Sequence, residues 1–569
     1  MSFSFSSNSP MAVVLALIVA TFAGCAAQTE LEQTKPSEST KLGHLGTVEF
    51  PTTCSPKAQP RFIRGLAALH SFWYPVALEE FRAATQMDPT CMMGYWGEVM
   101  AHNHPIWGDP QETEAARKVV GKIKITPDLT ARERAYLDAV KVLVGKGDKP
   151  ARDRAYAAAM EKIHRDYPED AEAALLYALA LMGTAPQDPE TGLQTRMRAG
   201  EIASQVFKKK PDHPGAAHYV IHAYDDPKNA HLAVGAARRY AKIAPAALHA
   251  LHMPSHIFLQ LGMWPEATAS NRASWAASDK WVKENDLPIS RRDYHSLHWL
   301  QYAYLQQGRH DDAKALLDLM RQSLAEFPKQ DQRNLMYGTY LESAMAADYL
   351  ITTEQWSDAE KILGAPTWDR RESAGARANP YADLAAVAQV PRIFARGLAA
   401  AMIGSPEAHK SIAALQEIAG KKITTTVPFV GELQKAARIQ ALEISAAAHA
   451  AQGEFDEATG MMKRALKIVD AMPPPAGPPA LVKPPHELSG EILLRANRPR
   501  DAAAQFTDSL LRHRNRSRSL LGAARAFAQA GETQLAAKFY GQFARQWREA
   551  EAQAPELREA QRASSSIGP

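Results

Sequence analysis

Two histidine pairs recur at an interval of 34 residues, and that interval constrains the fold more than any other feature of the chain. His218 and His222 are four apart, as are His252 and His256, and the second pair follows the first by 34 residues (252 − 218 and 256 − 222). Ala233 and Ala267 repeat at the same interval, as do Ala502 and Ala536, and the bulky pair Phe506 and Tyr540. Small residues recur where paired helices approach closely, and bulky ones fill the space between successive units. A period of this length belongs to stacked helix–turn–helix units. The two histidine pairs are therefore expected on the same face of the same helix in consecutive units.

Composition agrees with an all-helical chain. The 569 residues are 46% hydrophobic, enough for a substantial core, and alanine recurs in pairs and triplets while β-branched runs are rare. The net charge of +4 comes from interspersed charges with no basic block, which argues against nucleic-acid binding. The stretch MPPPAGPPALVKPP, 472–485, cannot be helical and is expected as a loop.

The segment SFWYPVALEEFRAATQMDP places Ala77, Phe81, Ala84 and Pro89 at the offsets of the second tetratricopeptide helix and its closing proline. Gly308 with Ala313, and Gly453 with Ala458 and Ala465, mark further units. This resembles the tetratricopeptide repeat superfamily over most of residues 61–547. The pattern is degenerate over 128–210 and 354–422, where helices are inferred from pattern alone. The resemblance implies an all-α, tetratricopeptide-type helical-hairpin solenoid, long enough to curl into a closed superhelix. The strings HPG..HY.IHA and H..HMPSHI also resemble those of a group of bacterial exported repeat proteins. That likeness implies fold and export, and no particular reaction.

Counting back from the marker alanines aligns the histidines. Ala233, Ala267 and Ala313 each have a histidine 15 residues earlier: His218, His252 and His298. Eleven residues earlier stand His222, His256 and Tyr302; eighteen earlier stand Gly215, His249 and His295. In peptide-binding tetratricopeptide domains such positions line the concave groove, which the resemblance implies here. Independently, spacings of three, four and seven fall on one side of a helix. Imidazole is the common neutral ligand of Zn, Cu and Fe. The candidate metal ligands are thus His218, His222, His249, His252, His256, His295 and His298, with Asp225 as a carboxylate and Asp226 as its alternative. Tyr219, Tyr224 and Ser255 are candidates to orient the rings. Two other readings stay open: a groove for an acidic peptide or sugar, and a structural polar network. Pro254 interrupts the second helix and unsettles the equivalence of His249 and His252. Trp96, His102 and His104 in an early unit, and His486 and Glu487 after the proline loop, are secondary groove candidates.

The apolar run Met11–Ala23 is too short to span a bilayer and suits a signal peptide, with translation starting at Met1 or Met11. Phe22-Ala23-Gly24-Cys25 resembles the bacterial lipobox, which implies lipidation of Cys25. It departs from that motif in Phe22 and in the absence of a preceding Lys or Arg. Two cysteines remain, Cys54 and Cys91, and in an exported chain they are expected as a disulfide, the alternative being two buried thiols.

The expected organisation is a signal peptide at 1–24, a lipid-anchored polar tether at 25–60, and a solenoid at 61–470 with its histidine-rich units at 213–325. A proline-rich loop at 471–485 and C-terminal repeats with a tail at 486–569 complete it. The expected protein is a periplasmic or outer-membrane-anchored lipoprotein, touching the membrane only through lipid. Its groove binds a protein or small-molecule ligand through a transition metal (Zn, Cu or Fe). The alternatives are a metal-dependent enzyme of the cell envelope and a metal-free scaffold for envelope assembly. No GxGxxG, P-loop, HExxH, GxSxG or CxxCH string occurs.

Overall fold

The computed structural model describes residues 43–106, 112–186, 189–365, 382–423, 429–551 and 554–565. Cys25, the apolar run and the first half of the expected tether, 25–42, lie outside them. The described helices all belong to the unit His44–Pro569. Among the described residues there is no strand, and no helix is long and apolar enough to cross a membrane.

The helices pair as antiparallel hairpins, and the turns explain why. A residue in the left-handed backbone region stands five positions before six of the marker alanines. It is Gly262 before Ala267, Gly308 before Ala313, Gly453 before Ala458 and Gly531 before Ala536, with φ of 64°, 69°, 81° and 80°. Glycine adopts that conformation without a Cβ clash. Asn497 takes the place before Ala502, and Phe72 takes it before Ala77 at φ 53°. The marker alanines are buried to within 3% of complete. The aromatic residue four positions on is wedged between two glycines of the adjoining helices. A Cβ on Gly65 or Gly97 would meet the Phe81 ring at 2.8 or 2.3 Å, and one on Gly490 or Gly522 would meet Phe506 at 2.8 or 2.2 Å.

The described parts of the segments with degenerate pattern also carry helices, including Ala131–Leu143 with a capping box from Thr130 and Glu133, and Ala171–Thr184 capped by Asp170. Residues 471–484 form no helix. The C-terminal hairpins return onto the middle of the array. Trp547 Nε1 donates to the Gln306 carbonyl at 3.1 Å, Trp264 Nε1 to that of Asn515 at 3.0 Å, and Arg514 Nε to that of Pro227 at 2.9 Å.

The expected end of the tether at residue 60 is not where packing begins. From His44 the chain lies against the helices: Phe50 is buried among Phe62, Trp96 and Tyr136, and Thr47 N donates to the Asp212 carbonyl. A disulfide joins Cys54 to Cys91, with Cα atoms 4.4 Å apart, and ties this segment to the start of helix Met92–Ala101.

Candidate metal centre

The first histidine group is set by the helix Pro214–Ala223. Pro214 occupies its first turn, and the imidazole of His213 caps it by accepting from Ala216 N. His218, fully buried, points its Nδ1–H at the backbone carbonyl of His70, 2.6 Å away at the end of helix Gln59–His70. That bond fixes the tautomer, so Nε2 carries the lone pair. His218 Nε2 and His222 Nε2 are buried and accept no hydrogen bond among the described residues. Ring nitrogens of His218, His222 and His249 lie within 4.8 Å of one another. Phe72 closes one side, its ring 4.4 Å from that of His218 and stacked on His222 and His249 at 5.6 and 5.7 Å. A bulky residue at positive φ costs about 1–2 kcal/mol. Here the strained turn puts an aromatic face against three imidazoles.

The second group straddles the Pro254 break, which divides its helix into Leu248–His252 and Pro254–Gln260. Its hydrogen bonds leave little freedom. Asn271 Nδ2 donates to the Ala267 carbonyl at 2.9 Å, so its Oδ1 must accept, and it does so from His252 Nδ1 at 2.7 Å. His256 Nδ1 donates to the Asp225 carboxylate at 2.6 Å. Each ring has committed its proton, and the two Nε2 lone pairs face each other across 3.2 Å. Ligands about 2.0–2.1 Å from one tetrahedral ion stand about 3.3–3.4 Å apart. A ring nitrogen of His295 completes a second set within 4.8 Å, and the Tyr337 hydroxyl stands 3.3 Å from His295 Nδ1. Trp299 covers this group, with ring centroids 4.9, 4.4 and 5.2 Å from those of His252, His256 and His295.

The two groups adjoin. His222 and His256 are 6.3 Å apart by ring centroid, and His249 and His252 are 6.4 Å apart. His218 and His252 are buried at the base, while His222, His249, His256 and His295 are half-buried. Burial brings His218 and His252 down to about 3. It also pushes His222, His249 and His295 well below the usual imidazole value, with neighbouring imidazoles adding repulsion. These five rings are thus neutral at neutral pH, the form that binds metals.

A third grouping, His70, Glu172 and His213, also holds its donor atoms within 4.8 Å. It is hydrogen-bonded throughout: His70 Nε2 and His213 Nε2 meet the Glu172 carboxylate at 2.6 and 2.8 Å, and His70 Nδ1 meets Tyr219 Oη at 2.9 Å. Burial would raise Glu172, but the two imidazoles outweigh it and hold the carboxyl below its ordinary range. This buried network props the His70 carbonyl that His218 uses. Gly215 permits it, since a Cβ there would meet His70 Nδ1 at 2.3 Å.

Other expected ligands lie elsewhere. Asp225 stands behind His256 as the acceptor that orients its ring, and Asp226 caps a local turn through Lys228 N and Asn229 N. His298 turns away and pairs with buried Asp348 of the helix Gln332–Thr353 at 3.0 Å. Tyr302 accepts from Arg516. Ser255 donates to Asn271 Oδ1, while Tyr219 supports His70 and Tyr224 packs on Gly200. Trp96 is a core residue among aromatic rings. His102 pairs with Glu112, and the His104 ring lies 4.3 Å from Tyr74. His486 joins Asp470 and Gln505, and Glu487 joins Arg516, Lys483 and Ser519. None of these five meets the histidine groups in these contacts.

Sequence reasoning missed Phe72, Asn271 and Trp299. Trp299 carried a signal, since it follows His295 by four residues and so shares its face. Asn271 carried none, because it comes from a neighbouring helix.

No protein-family model and no curated protein matches the chain. Among solved structures it is similar to the Naa15/Naa10 complex bound to HypK-THB, at 13% identity over 90% of this chain and 74% of that one, with a TM-score of 0.22. It is similar to the TPR domain of P58(IPK) at 13% identity over 70% of this chain and 100% of that one, TM-score 0.21. A circular tandem repeat protein matches at 12% identity over 90% and 98%, TM-score 0.12.

Proposed function

We propose that this is an exported helical-hairpin protein that binds a transition metal through imidazoles on its repeat face and uses the ion to hold a ligand or partner. The observation that carries the reading is the pair of opposed lone pairs on His252 and His256, 3.2 Å apart with both Nδ1 protons committed elsewhere. Two lone pairs at that distance repel unless a positive charge lies between them. A shared proton would serve that one contact. It would leave the buried nitrogens of His218 and His222 unserved. Metal coordination suits them, and the Asp225–His256 and Asn271–His252 bonds supply the outer support that metal-binding imidazoles generally have.

Three nitrogens no more than 4.8 Å apart share a point within about 2.8 Å of each (4.8/√3). Movements of under about 1 Å would bring them to bonding distance of about 2.0–2.1 Å. An all-imidazole donor set suits Zn, Cu or Fe and disfavours Mg and Ca. Export is supported by the FAGC string and by the Cys54–Cys91 disulfide, which persists in oxidising compartments. The proposed partner is a protein or small molecule in the groove, and the proposed anchor is lipid on Cys25.

The test is metal analysis of full-length protein purified without chelator or affinity histidines. The reading expects a stoichiometric transition metal whose removal lowers the melting temperature. Metal-free protein with an unchanged melt on adding zinc or copper would leave a scaffold without metal.

A further inference from the structure

The six imidazoles divide by repeat in a way that a single ion does not explain. The first group takes an i,i+4 pair, His218 and His222, from one hairpin and a single ring, His249, from the start of the next. The second takes an i,i+4 pair, His252 and His256, and again a single ring, His295, from the start of the hairpin after it. Each group is therefore the same construction moved along by one repeat. The series stops there, because His298 is held by Asp348 and Tyr302 stands where a second imidazole would be needed.

Each group also has its own outer support. The His70 carbonyl holds His218, while Asn271 and Asp225 hold His252 and His256. Ring centroids within the first group are 4.6, 4.9 and 6.0 Å apart, and His252 lies 5.0 and 4.7 Å from His256 and His295. The shortest ring separations recorded between the groups are 6.3 and 6.4 Å. A four-coordinate ion can use at most four of these rings. One shared ion would leave at least two of the six imidazoles outside its coordination sphere.

We propose that the chain holds two transition-metal ions, one in each three-histidine group, side by side at adjacent repeat interfaces. This rests on the metal-binding reading above. Three protein ligands leave a tetrahedral ion one open position, the arrangement of sites that bind exogenous molecules rather than of purely structural ones. Two open positions on neighbouring repeats would suit a small molecule with oxygen or nitrogen donors able to reach both ions.

The experiment is a titration of metal-free, untagged full-length protein with Zn²⁺ alone, followed by calorimetry and metal analysis after gel filtration. Wild type is expected to retain two zinc ions per chain. The double variants His218→Ala/His222→Ala and His252→Ala/His256→Ala are each expected to retain one. The single variants His249→Gln and His295→Gln, at half-buried positions, should weaken one binding step at least tenfold and spare the other. Circular dichroism establishes that each variant is folded. Anomalous diffraction from zinc-loaded wild-type crystals gives a second measure that needs no variant, with two peaks expected, one per group. One ion per chain, lost in both double variants, would overturn the two-ion arrangement and leave single-site metal binding standing. No zinc on wild type would overturn the metal-binding reading itself.

Discussion

At the scale of single residues, metal binding turns on which nitrogen carries a proton. Asp225 matters because it fixes the His256 tautomer and faces no lone pair itself. Asp225→Asn is therefore expected to weaken zinc binding about 10–100-fold while leaving the circular dichroism unchanged. Competition with a chelating dye measures it, and an unchanged affinity would remove Asp225 from the site. Glu487 illustrates the opposite case, a carboxylate with a purely structural role. Burial would raise it, but Arg516 and Lys483 outweigh burial and bring it down to about 2. Its folded value lies below the ordinary carboxylate value of about 4.3. Its stabilisation is thus complete above that value and is lost as pH falls toward 2. Glu487→Gln should cost about 3–5 kcal/mol at neutral pH by leaving two buried cations short of a partner. Chemical denaturation should show the gap to wild type closing below about pH 4.3. A gap that does not change with pH would contradict the assigned ion pair.

At the scale of elements, the helical units were legible because close packing demands small residues at fixed intervals, and the marker alanines sit buried at those intervals. The paired histidines were legible because helix geometry alone puts i and i+4 on one face. What escaped was direction. The 15-residue count aligns His298 with His252, but His298 turns to Asp348 on the following helix, and Trp299 comes to cover the second group. The partners that set tautomers, Asn271 and the His70 carbonyl, arrive from other helices and leave no local pattern. The proline loop was legible as a loop, though its position was not. Gly477 packs on Trp299, where a Cβ would come within 2.5 Å of the indole, and the Pro475 carbonyl accepts from Gln260, which also donates to Asp225. Gly477→Val should lift the loop, costing about 1–3 kcal/mol. It should also speed proteolysis within 472–485. Unchanged cleavage and stability would show that the loop does not rest on the indole.

At the scale of the whole unit, two features tie distant parts together. The segment from His44 is held by its packing and by the disulfide, and the C-terminal hairpins are held to the middle of the array by Trp547, Arg514 and Trp264. Cys91→Ser is expected to lower stability by about 2–4 kcal/mol. A reductant should lower the wild-type melting temperature and leave that of the variant unchanged; equal melts with and without reductant would remove the disulfide from the account. The packed ends hold the hairpins that carry the histidines, and the central claim is that those histidines coordinate a metal. X-ray absorption at the edge of the bound metal tests it most directly. The account predicts three imidazoles per ion, with nitrogen ligands at about 2.0–2.1 Å and the outer scattering that rigid rings produce. A spectrum of an oxygen-ligated, hydrated ion without imidazole scattering would contradict it.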